Sequence, residues 1–206
     1  MDSKRQMTAP DDDIQEKYLE RAIRELNDLN RRIADMPACL AGGHTPVLGS
    51  GHPVADIFLL KYAAGTSEVE EGVAFYGRAG NALMKSFKRL GIDPLVVYGT
   101  VCLKCPSSAE SSISDYTAQV LEEFAIVQPK IVVAMGPDGL DTLNEMQVPL
   151  ASRIEARPGE IQQLTPTVEA IYTPNIDECL DSDATKREFW AAFRKLGDWY
   201  AALPPY

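Results

Sequence analysis

Four short runs, Ala55–Lys61, Val96–Cys102, Lys130–Met135 and Val168–Tyr172, are almost wholly apolar, and stretches of helical character separate them. Strands apolar on both faces must be covered on both faces. A chain that alternates such strands with helices builds a parallel sheet between two helical layers. The intervening helices are Asn81–Leu90, closed by Gly91; Ser114–Gln128, with Pro129 just beyond; and a segment from Gly136-Pro137 to about Met146, Pro137 suiting its first turn. A last helix starts at Asp183 and runs to about Leu203, with Phe189, Phe193, Leu196 and Tyr200 on its inner face. Ahead of the first strand, Ile14, Tyr18, Ala22, Leu26, Leu29 and Ile33 recur at helical spacing over Asp13–Ala34, and Pro37 marks the end. The fold class is therefore α/β, and ligands in such folds sit beyond the carboxyl ends of the strands. That places the candidate site in three loops: Lys61–Gly80, Leu103–Ser112 and Thr173–Asp181.

A chain of 206 residues, 45 % hydrophobic, suits one domain with a full core. Residues 1–12 are polar and acidic and are expected to be disordered, leaving 13–206 as a single domain. No apolar run approaches the roughly 20 residues of a membrane span, and no signal-peptide stretch opens the chain, so the expectation is a cytoplasmic protein with no membrane partner. Cys39, Cys102, Cys105 and Cys179 do not look like a secreted disulfide framework. A net charge of −10 and a pI of about 4.7 argue against tight non-specific nucleic-acid binding, because phosphate contacts supply most of that affinity. Lys85, Lys88 and Arg89 nonetheless cluster on one helix, which reads most simply as a solvated face, and Lys61 and Arg78 lie near the candidate site.

The stretch Ala55–Gly80, ADIFLLKYAAGTSEVEEGVAFYGRAG, reads as a buried strand, a small-residue loop and then Phe-Tyr-Gly-Arg-Ala-Gly opening a helix. GTVCLKCPSS follows at Gly99–Ser108, QPKIVVAMG at Gln128–Gly136 and YTPN at Tyr172–Asn175. Together these resemble the family 4 uracil-DNA glycosylases over about Met36–Lys195. The resemblance implies a three-layer α/β/α domain with a central four-stranded parallel sheet. It also implies a pocket for a base flipped out of a nucleic acid, since a stacked base is out of reach inside a duplex.

Carried over by position, Phe75 falls where the family's aromatic stacks on the flipped base, and a π-face suits any base. Gly65, Gly72, Gly77, Arg78 and Gly80 keep the loop geometry, with Gly77, Arg78, Gly80 and Pro174 as expected nucleic-acid backbone contacts. Most of the chemistry is replaced. The water-activating Glu is Tyr62, a phenol with ordinary pKa near 10 and a poor base at pH 7; it is also expected to fill space in the pocket. The Gly before it is Lys61. The uracil-reading Asn is Val101, which offers neither amide donor nor acceptor. The His that stabilises the departing base is Thr173, and the Ser after it is Asn175. Losing such preorganised groups removes roughly 3–4 kcal/mol of transition-state stabilisation each. The family also holds an iron–sulfur cluster with four cysteines. Cys39 and Cys105 match two of those positions, but Met36 and Tyr116 stand at the others, and two thiolates cannot hold such a cluster. No cofactor and no metal are expected.

The residues left with chemical potential are few. Glu68, Glu70 and Glu71 are candidate general bases, Glu68 foremost, set against a solvated acidic loop. With Thr173 and Asn175, Glu68 completes the candidate catalytic set; Tyr62, Gly65, Phe75 and Val101 make the candidate base pocket. Lys61 could attack a sugar as an amine if desolvated, but a lysine at a strand end is usually solvated. Cys102-Leu103-Lys104-Cys105 is a lone C-x-x-C, weak as a metal or redox signal. His44 and His52 read as loop-anchoring. Three functions follow: a divergent glycosylase-like protein without efficient uracil excision that keeps weak nucleobase or DNA recognition; a glycosylase with altered base choice, using Glu68 or a water held by Asn175; and a protein-interaction module with a vestigial pocket.

Overall fold

The computed structural model describes residues 9–42, 45–105 and 113–204. In chain order the helices are α1 (Ala9–Ala34), α2 (Pro37–Gly42), α3 (Thr66–Glu71), α4 (Arg78–Leu90), α5 (Ile113–Val127), α6 (Gly136–Glu145), α7 (Ile176–Cys179) and α8 (Asp183–Ala201). The strands are β1 (Ser50–Gly51), β2 (Ile57–Lys61), β3 (Val97–Val101), β4 (Ile131–Met135), β5 (Ile161–Thr165) and β6 (Val168–Thr173). Helix α1 begins at Ala9, ahead of the Asp13 start that the apolar periodicity predicts; Pro10 is compatible with a first turn, where its missing N–H would have no intrahelical partner. Residues 1–8 of the segment expected to be disordered lie outside the described residues, as does His44.

The sheet has six strands in the order β1-β3-β2-β4-β6-β5, two more than the sequence led us to expect. The four expected strands form its parallel centre, and β1 and β5 add antiparallel edges. Both additions escape an apolar-run criterion for plain reasons. β1 is only Ser50 and Gly51, and β5 carries Gln162 and Gln163 on a partly exposed edge.

Side chains alternate across this sheet into two cores. Ile57, Leu59, Val97, Val101, Ile131, Val133 and Ile171 face Leu83 and Phe87 of α4 and Phe189, Phe193 and Leu196 of α8. Phe58, Leu60, Tyr98, Val132, Ala134 and Ala170 face Leu26 of α1, Val120 and Phe124 of α5, and Leu140 and Leu143 of α6. The three-layer reading holds. Gly197 is needed where α4 meets α8, because a Cβ there would stand 2.9 Å from Leu90.

Two features correct expectations. Cys39 and Cys105 are joined by a disulfide between α2 and the segment after β3, walled by Leu29, Ile33 and the partly buried Met36. Lys104, inside the C-x-x-C, is fully buried and ion-paired with the equally buried Glu123 of α5 at 2.8 Å. Glu123 also accepts from Tyr98 and Thr100, so this charge pair is closed within a hydrogen-bonded network.

Candidate functional site

The central strands end in one row. Lys61 of β2 is in register with Val101 of β3 on one side and Met135 of β4 on the other, and Met135 is in register with Thr173 of β6. Partners across parallel strands share a face, so Val101, Lys61, Met135 and Thr173 project side by side into the layer that holds α4 and α8. Three of them are the positions where the resemblance expects the pocket's glycine, its base-reading amide and its anion-stabilising imidazole.

Lys61 occupies that space. Its side chain is wholly buried, against the expectation of a solvated strand end. Nζ lies 2.5 Å from Glu68 Oε2 and 2.7 Å from Asp177 Oδ2, and 5.2 Å from the centroid of the Phe75 ring. A cation at that distance over a ring is held by the quadrupole of its face. Tyr62, expected to fill the pocket, instead packs with the Cys39–Cys105 cluster. The alternation of the strand explains the exchange: Lys61 points to the α4 side, and the next residue leaves the strand on another course.

Glu68 is correspondingly tied down. It is 1 % exposed rather than part of a solvated loop. One oxygen accepts from the Phe75 amide, the other from the Gly65 amide at 2.6 Å and from Lys61. Both oxygens of this carboxylate are thus engaged by donors within the protein. Glu70 and Glu71 differ: both are exposed.

Phe75 is held in a left-handed backbone conformation, φ 59°, which costs a non-glycine residue of order 1 kcal/mol. Its surroundings fix it there. The amide goes to Glu68, the ring lies on Gly99, where a Cβ would come within 2.5 Å, and its carbonyl presses on Gly80, where a Cβ would come within 1.9 Å. The Phe-Tyr-Gly-Arg-Ala-Gly pattern is thus explained by packing of this loop against β3 and the first turn of α4.

The other expected residues serve the backbone. Thr173 is buried and donates to the Pro174 carbonyl. Asn175 caps α7, accepting from the Asp177 amide at 3.0 Å. Gly77 precedes α4 at φ 77°, and Arg78 reaches Asp181 at 2.9 Å. Burial, with the acidic neighbours Glu178, Glu188 and Asp177 adding to it, pushes the Cys179 thiol up to about 12. Burial raises Cys102 as well.

An open cleft of about 450 Å³ does touch Phe75, but from the side of β1, α4 and β3. Tyr76, Met84, Phe87 and Val97 line it, together with Ser50 and Asn81, and no acid, base or residue of the Lys61 row does. The sequence reading missed Asp177 altogether and misjudged Lys61. The signals were present: a lysine ending an otherwise apolar strand, and an Asp-Glu pair in the loop that faces it.

The donor set beside Cys39 does not fit a four-cysteine iron–sulfur cluster. Two of its sulfurs are bonded to each other, Met36 is no thiolate, and Cys102 turns its thiol to Thr142.

A family model described as the uracil DNA glycosylase superfamily matches residues 48–196, most of the chain and all of the sheet's parallel centre. The chain belongs to the uracil-DNA glycosylase superfamily. Among curated proteins, a type-4 uracil-DNA glycosylase of Pyrobaculum aerophilum is 26 % identical over 122 residues, covering 57 % of this chain and 62 % of that protein. The match thus spans less than two thirds of the relative's length. The row Val101–Lys61–Met135–Thr173 lies at the carboxyl ends of the parallel strands, the end at which open α/β sheets bind ligands, and in this member a lysine stands in it.

Proposed function

We propose that this chain is a superfamily member that does not excise uracil, a binding protein built on a glycosylase fold whose base pocket is closed by its own lysine. The observation that carries this is the placement of Lys61 Nζ over the Phe75 ring, locked to Glu68 and Asp177. A base could stack on that face only if a buried ion pair were first broken, which costs about 3–5 kcal/mol. The groups that would then read and cleave it are an apolar Val101 and a Thr173 whose hydroxyl is committed to Pro174.

A glycosylase with altered base choice is less well supported. Its candidate base, Glu68, is neutralised by Lys61, and its candidate water-positioner, Asn175, is a helix cap. Neither stands free to activate water. The bond between Cys39 and Cys105, with Met36 beside them, supports the further part of this reading that the member works without an iron–sulfur cluster.

Single-turnover base release tests the proposal. Excess protein is incubated with labelled single- and double-stranded oligonucleotides carrying uracil, hypoxanthine, xanthine or an alkylated base, then treated with alkali. We expect no strand cleavage above the protein-free control. Cleavage at any one lesion, abolished by Phe75→Ala, would overturn the proposal and restore the altered-specificity enzyme.

A further inference from the structure

Away from the closed pocket, α4 and α8 diverge above the Leu90–Gly197 contact and leave a groove of about 780 Å³. Its charge is opposite to that of the chain. Arg78, Lys85, Arg89, Lys186 and Arg187 line it against a single acid, Asp183, on a protein of net charge −10. On α4 the cations recur at Arg78, Lys85 and Arg89, one helical face spanning roughly 16 Å at 1.5 Å per residue. Arg78 is satisfied by Asp181, whereas among the described residues Lys85, Arg89, Lys186 and Arg187 form no salt bridge. Elsewhere among the described residues, arginines are paired at Arg21, Arg32 and Arg157 and unpaired at Arg24, Arg153 and Arg194, but those three do not line this groove. What is local to this groove is the convergence of four unpaired cations from two helices on one concave surface.

The floor is apolar and carries two aromatics, the buried Phe189 and the more accessible Trp190. Trp190 is half-buried on α8, and the Arg89 guanidinium lies 5.8 Å from its ring centroid. The geometry points to this groove as a binding site for a single strand of nucleic acid, its phosphates on the Lys85, Arg89, Lys186 and Arg187 cations and a base stacked on Trp190. The pairing of a basic track with a stacking ring is what decides the class. An acidic peptide would satisfy the cations and leave the indole without a partner, while a nucleotide supplies both an anion and a π-face. Guanidinium groups also match phosphate oxygens two at a time. The site involves none of Lys61, Glu68 or Phe75, so it stands or falls apart from the closed pocket.

The test uses fluorescein-labelled dT20 and rA20, neither containing uracil, titrated with the full chain in 50 mM salt and followed by anisotropy and by tryptophan emission. We expect micromolar binding of at least one strand and quenching of Trp190. The affinity should fall with log salt at a slope near −3, as about four phosphate contacts on a single strand require. Lys85→Glu/Arg187→Glu should weaken binding at least tenfold, and Trp190→Leu, in a chain whose melting temperature is unchanged, should remove the quench. Preference for dT20 or for rA20 separates DNA from RNA as the source. No binding of either strand would overturn the inference. So would equal binding of an acidic peptide of matched charge, or binding indifferent to both variants. The outcome is independent of base release: a chain that cleaves uracil yet binds dT20 here would sink only the closed-pocket proposal.

Discussion

The ammonium of Lys61 lies 5.2 Å from the centroid of the Phe75 ring, over the face that our proposal assigns to a base. Glu68 connects the two residues, accepting from the Phe75 amide and from Lys61 Nζ. The loop conformation and the closure of the pocket are therefore one structure, and disturbing either should disturb both.

Removing one member of that pair should be costly. Lys61→Met leaves Glu68 buried without its counter-charge, and Glu68→Gln leaves Lys61 with only the partly exposed Asp177. Each single change should lower unfolding free energy by about 3–5 kcal/mol in urea titration. The double variant should cost less than the sum, with a coupling of about 1.5 kcal/mol or more. Strictly additive losses would mean that the pair does not hold the site.

Lys104 and Glu123 offer the same experiment on the opposite face of the sheet. Both side chains are fully buried and 2.8 Å apart, with Tyr98 and Thr100 completing the network. Glu123→Leu alone should destabilise by about 3–5 kcal/mol, whereas Lys104→Met/Glu123→Leu should recover most of that loss. Thermal unfolding of the three chains decides it.

These two lysines show where sequence reading succeeded and where it stopped. The parallel centre of the sheet was legible because its strands are apolar on both faces, and the inner face of α8 followed from helical spacing. The edge strands β1 and β5 were not, because a two-residue strand and a glutamine-bearing one leave no apolar run. Val101 and Thr173 were singled out from motif position alone, and strand register sets them in one row with Lys61 and Met135; Phe75, singled out the same way, lies beside that row with its ring 5.2 Å from Lys61 Nζ. Lys61 was misread because solvation is the usual fate of a strand-end lysine. Only the packing of α3 and α7 brings Glu68 and Asp177 to it, and those contacts are separated by 7 and 116 residues in the chain.

The cysteines should divide into two classes. With the disulfide intact, denatured chain should show two reactive thiols, Cys102 and Cys179, and native chain neither, since both are buried. Reduction frees the other two and, for partners 66 residues apart, should lower stability by about 4 kcal/mol on the chain-entropy account. Four reactive thiols in unreduced denatured protein would contradict the pairing.

Alkaline pH should weaken the fold through Cys179 and Tyr98. The Cys179 thiol titrates near 12 when folded, against an ordinary 9.0, and burial beside Glu123 holds Tyr98 well above its ordinary 10.0. Between those values the unfolded chain releases protons that the folded chain keeps, so stability falls as pH rises. The contribution is complete below pH 9, and for Cys179 it is lost from about 9 up to about 12. Urea midpoints measured from pH 7 to 11 should fall from about pH 9 onward, and Cys179→Ala should flatten the early part of that decline.

The most direct measurement is whether free uracil reaches the face of Phe75. Phe75 amide and ring resonances are followed by NMR while uracil is added to millimolar concentration, in the wild-type chain and in Lys61→Gly. Closure of the pocket by Lys61 predicts no change in the wild-type resonances and a weak, saturable shift once the side chain is gone. A saturable shift of Phe75 in the wild-type chain would show the base face open and would contradict the account.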